Sequence, residues 1–76
     1  SNFAAEFLKK KLFEAIRYLK ALVAAGEHKY SQESLELLGL ARQRKGQNYH
    51  AVDAYEQYLK LYPESDVVTW VKQRLS

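Results

Sequence analysis

Cysteine is absent from the 76 residues, proline occurs once and glycine three times. With no cysteine there is no disulfide framework, no iron–sulfur cluster and no thiolate-ligated zinc, and thiol usage says nothing about compartment. The shortage of proline and glycine removes most breakers of regular structure. A composition 47% apolar and 28% charged is that of a globular, helix-friendly chain, not a disordered or collagen-like one. No apolar run approaches the ~20 residues that span a bilayer. Strand signals are missing too: nothing alternates with period two, and no Asn-Gly or Asp-Gly turn occurs. The chain opens on Ser1, not Met, as expected of a processed or excised piece of a longer protein.

Charge of one sign is not in great excess. Twelve Lys and Arg against nine Asp and Glu leave +3, without the dense basic stripe of a nucleic-acid domain. Lys9, Lys10 and Lys11 fan over roughly 200° of a helix. Arg42, Arg44 and Lys45 precede Gly46, where cations suit the helix dipole. Both groups read as solvated faces and helix-end compensation, so no nucleic-acid partner is expected.

What is present is helical periodicity. Phe7, Leu8, Leu12, Ala15, Ile16, Leu19, Leu22 and Val23 recur at steps of three and four, and Gly26 supplies the stop. Ser31 is the expected N-cap of a second helix carrying Leu35, Leu38, Gly39 and Ala41 and ending at Gly46. Asn48 is the expected cap of a third, with Ala51, Val52, Tyr55, Tyr58, Leu59 and Tyr62 on its core face. Pro63 blocks continuation. Ser65 is the expected cap of a fourth, with Val67, Val68, Val71 and Leu75 on one side. The expectation is an all-α fold of about four helices in which short connections make neighbours antiparallel.

Chemistry-bearing patterns are scarce. There is no GxGxxG, no GxxxxGK[ST] and no HExxH. His50 and Asp53 sit three apart on one helix without a third ligand beside them. Glu33 with Glu36, and Asp53 with Glu56, are carboxylate pairs, but general acid–base work needs one of a pair desolvated. No catalytic residue, metal or cofactor is expected, and the chain is not expected to be an enzyme. Tyr55, Tyr58 and Tyr62 share a helix face and read as core, not as a base-stacking platform. The first helix also has the lysines and apolar face of a membrane-surface helix, but an internal echo favours packing.

That echo aligns residues 14–23 with 50–59 at an offset of 36: Ala15 with Ala51, Ile16 with Val52, Leu19 with Tyr55, Leu22 with Tyr58 and Val23 with Leu59. Such a period marks helical solenoids. Gly39 and Ala51 are the small residues that let two helices touch, with Tyr55 filling a wider gap further along. The stretch 32–65 resembles one tetratricopeptide repeat: Leu35, Leu38, Gly39, Gly46, Ala51, Tyr55, Leu59 and Pro63 stand at matching positions. Leu35 replaces the usual Trp, Arg42 an aromatic, and Tyr58 a small residue. Residues 1–26 then resemble the second helix of a truncated preceding repeat, and 66–76 a capping helix, within one domain 1–76. The run from Tyr58 to Ser65 is also similar to members of this family from the bacterial cell envelope; cytoplasm and envelope both stay open.

The resemblance implies an antiparallel helix-turn-helix solenoid fragment that binds a protein or peptide. Its groove residues would be Glu33, Glu36, Leu40, Gln43 and Arg44 on the second helix. Leu37 reads as packing on the first helix, and Leu40 as either groove or core. The clamp by which some relatives hold chaperone tails is not there: Glu36 has the wrong sign, and Leu37 and Leu40 occupy its polar positions. The alternative is a structural end-cap or homodimerisation unit, since one and a half repeats is short for a solenoid. Phe3 and Phe7 would otherwise be wet, which makes the first helix the expected surface of self-association.

Overall fold

Two glycines set where the chain reverses. In the computed structural model, which describes residues 2–75, Gly26 has φ +88° and Gly46 φ +86°, the left-handed conformation that follows many helices and that a Cβ disfavours. The helices between these turns are α1 (Asn2–Ala24), α2 (Ser31–Arg44), α3 (Asn48–Leu61) and α4 (Val68–Leu75). There is no strand among the described residues. The protein is all-α. Ser1 and Ser76, the expected domain bounds, lie outside the described residues.

The polar residues expected as caps do other work. α2 already begins at Ser31, and Tyr30 precedes it with no side-chain cap. Ser31 turns back into the loop: its Oγ accepts from His28 N–H (2.7 Å) and donates to the Gly26 carbonyl (2.9 Å). Asn48 is likewise the first helical residue of α3, behind an uncapped Gln47. Ser65 comes nearest to expectation, since its Oγ accepts from Val67 N–H at 3.2 Å, but α4 starts only at Val68.

α1 packs on α2, α2 on α3 and α3 on α4, and no other pair of helices packs among the described residues. Arg42 reaches the carbonyl of His50, Gln43 meets Tyr55, and Gln32 meets Tyr58. The C-terminal end of α2 thus meets the first half of α3, and the N-terminal end of α2 meets the last turn of α3, so the two run antiparallel. The core sits where these layers meet. Leu35, Tyr55, Tyr58 and Val71 are its largest fully buried side chains, and burying an aliphatic one of this size stabilises the fold by about 1.5–3 kcal/mol. Ile16 from α1, with Leu38, Ala41, Ala51 and Ala54, completes it. Leu19, Leu59, Tyr62 and Trp70 lie against its edge.

Three packing expectations change. Tyr55 fills no wider gap beyond Gly39; it lies directly on it, and a Cβ built there would fall under 3.0 Å from three carbons of the ring. Val52 is exposed, while Ala54 takes its place in the core. Val52 borders a cleft with Gln43, Tyr55 and Arg74 instead. Leu37, expected against α1, is 42% exposed.

Candidate protein-binding groove

α2 turns away from the core along one side. Glu36, Leu40 and Gln43 follow one another at helical spacing and are each half-buried, with Glu33 and Arg44 exposed beside them. All five residues therefore share a face, as their spacing requires. Leu35, Leu38, Gly39 and Ala41 occupy the opposite side and are buried. Ala51 is buried on α3, Leu59 borders the core and Pro63 lies in the turn after α3.

At its N-terminal end this face meets the α3–α4 turn. An open groove of about 520 Å³ is lined by Lys29, Gln32, Glu33, Glu36, Glu64, Ser65 and Asp66 over the edge of Tyr58. Its floor is a closed triangle of polar groups. Gln32 Nε2 donates to the Tyr58 hydroxyl (2.9 Å) and to Ser65 Oγ (3.1 Å), and the two hydroxyls lie 2.7 Å apart. Four carboxylates against one lysine make this end acidic.

The other end is cationic. Gln43 accepts a hydrogen bond from the Tyr55 hydroxyl at 3.2 Å. Tyr55 meets Trp70 edge-on at 5.9 Å, and the Arg74 guanidinium lies 4.7 Å from the Trp70 ring centre, within reach of a cation–π attraction. Burial pushes the Tyr55 phenol above its ordinary range; Arg74 opposes that shift, Glu36 adds to it, and Arg44 opposes it. The hydroxyl of Tyr55, bonded to Gln43, thus lies within the field of Glu36, Arg44 and Arg74.

The structure brings Glu33 and Glu36 together with Glu64 and Asp66, and Gln43 together with Arg74. It gathers no trio of His, Cys, Asp or Glu for a metal ion among the described residues, and His50 and Asp53 are both exposed. No described helix is long and apolar enough to cross a membrane. Sequence reasoning missed Lys29, Gln32, Glu64 and Asp66 in the groove, Arg74 in the cleft beside Gln43, and Trp70 against Tyr55. The four-residue spacing of Trp70 and Arg74 was the available signal for that pair. Glu64 and Asp66 lie in a turn and carry no periodicity. No family model, no curated protein and no solved structure matches this chain.

Proposed function

We propose that this chain is a non-catalytic interaction module. In this reading it is one tetratricopeptide-like unit (32–65) with half a unit before it and a covering helix after it, and it binds an extended segment of another protein along the outward face of α2. The observation that carries the reading is the change of charge along the outward face of α2, from the open groove at its acidic end. α2 holds Leu40 half-exposed between an acidic end at Glu33, Glu36, Glu64 and Asp66 and a cationic end at Arg44 and Arg74. A bound segment with a basic and an acidic end would run along that gradient, with an apolar side chain on Leu40; charge complementarity of this kind fixes direction more than affinity. The repeat element of the reading is supported by Leu35 and Val71, which lie 36 apart like the paired residues of the echo and are both fully buried.

The test is selection of peptides from a display library on the immobilised chain. Peptides that bind the wild type and lose binding to Leu40→Asp and to Arg44→Glu, with the helical circular-dichroism signal unchanged, support the groove. Peptides that bind both variants as well as the wild type would overturn it.

A further inference from the structure

α1 carries aromatic side chains on two sides, and the fold covers one side. Ile16 is buried, and Leu19 and Val23 pack at the edge of the core. Roughly 130° away around the helix, at about 100° per residue, runs a second row: Ala4, Phe7, Lys11, Glu14, Tyr18 and Ala21. Every one of these is exposed, Phe7 at 51% and Tyr18 at 67%. The steps between them are three and four in strict alternation, the spacing of a coiled-coil seam.

The row is a palindrome in chemistry. From one end it reads small, aromatic, cation; from the other, small, aromatic, anion. Laid antiparallel against itself about the point between Leu12 and Phe13, it matches Ala4 with Ala21, Phe7 with Tyr18, and Lys11 with Glu14. A parallel pairing would set Lys11 on Lys11 and Glu14 on Glu14. Glu14 has no ion-pair partner within the chain among the described residues, and the Lys11 ammonium lies 5.4 Å from the centre of the Phe7 ring, on the row itself. We propose that α1 pairs antiparallel with α1 of a second copy of this chain, in a two-fold contact with two Lys11–Glu14 pairs at its centre. The complementarity is of the surface to itself, which is what a closed, isologous dimer requires and an unrelated partner does not. The groove on α2 plays no part in it.

Sedimentation equilibrium of the whole chain is expected to show a dimer. Lys11→Glu and Glu14→Lys each set like charges opposite one another twice, and each is expected to weaken the dimer about tenfold or more. The double variant rebuilds both pairs in the opposite sense and is expected to return to within a few-fold of the wild type. Helical content, read by circular dichroism, is expected to be the same in all four. The direction of pairing is read separately, since the chain has no native cysteine. Phe7→Cys copies mixed with Tyr18→Cys copies are expected to cross-link on oxidation. Phe7→Cys alone is not, because its two cysteines would lie about 16 Å apart along the axis, beyond disulfide reach. A wild-type monomer at all concentrations, a double variant no better than the singles, or cross-linking of Phe7→Cys to itself would each overturn the proposal. Leu40→Asp is expected to leave the dimer intact, so loss of the groove and loss of the dimer are told apart.

Discussion

Tyr55 of α3 occupies the space that any side chain on Gly39 of α2 would need, with three ring carbons under 3.0 Å from a built Cβ. The ring is fully buried and held at both ends, by Gln43 at its hydroxyl and Trp70 at its edge, so it has little freedom to withdraw. Gly39→Ala therefore sets two effects against each other. Alanine gains about 1 kcal/mol of helix propensity over glycine, while overpacking a well-filled site costs about 1–3 kcal/mol. The expected net effect is a loss of about 1 kcal/mol, read as a lower urea midpoint at unchanged slope. Trimming the ring in a Gly39→Ala, Tyr55→Leu double variant is expected to cost less than the two single losses added together.

The groove floor gives a second contrast. Tyr58 is fully buried, yet its hydroxyl is bonded to Gln32 and Ser65. Tyr58→Phe keeps the ring, and Gln32 and Ser65 still bond to each other, so a loss of about 1 kcal/mol is expected. Tyr58→Ala removes the ring as well, at about 3–5 kcal/mol. In a chain of this size that is a large share of the total stability, and no cooperative thermal transition is expected.

The helices were legible because Leu35, Leu38, Tyr55 and Tyr58 carry the 3.6-residue period plainly and because Gly26, Gly46 and Pro63 punctuate it. Errors fell where period and burial part company. Val52 has the right spacing for the core but is exposed at the cleft beside Arg74, and Leu37 is apolar yet 42% exposed. Ser31 and Asn48 have cap chemistry, but the loops before them place the backbone one residue earlier than a cap needs. At the groove, Glu36, Leu40 and Gln43 announced a shared face through their spacing. Glu64 and Asp66 join it only through the fold of a turn, which one-dimensional spacing does not encode.

Two tyrosines tie stability to alkaline pH. Burial pushes Tyr55 up, and burial with the neighbouring Glu27 carboxylate pushes Tyr62 up. A phenol with a raised folded-state pKa keeps its proton longer folded than unfolded. Its contribution is whole below the unfolded value of about 10 and is lost as pH rises through the folded value. Urea midpoints are expected to fall above about pH 10 through this linkage, with a shallower fall in Tyr62→Phe. If Tyr62→Phe follows the wild-type curve through that range, the Tyr62 phenol is not raised by burial and Glu27 in the folded chain.

Ser31 separates a cap from a tie. As a cap, its oxygen would only accept, and aspartate would replace it well, since the two are near-equals at that position. As a tie, the hydroxyl must also donate to the Gly26 carbonyl while accepting from His28 N–H, and an ionised carboxylate has no proton to give. Ser31 is buried, so a carboxylate there would also face the Gly26 carbonyl oxygen with little water to screen it. Ser31→Ala is expected to cost about 1–2 kcal/mol through the unsatisfied loop groups, and Ser31→Asp more than Ser31→Ala at neutral pH. Urea unfolding of the two variants side by side checks the order. Were Ser31→Asp the more stable of the pair, the side chain would be capping α2 after all, and the α1–α2 turn would have to be held by His28, whose ring already bridges the Leu22 carbonyl and the Tyr30 N–H.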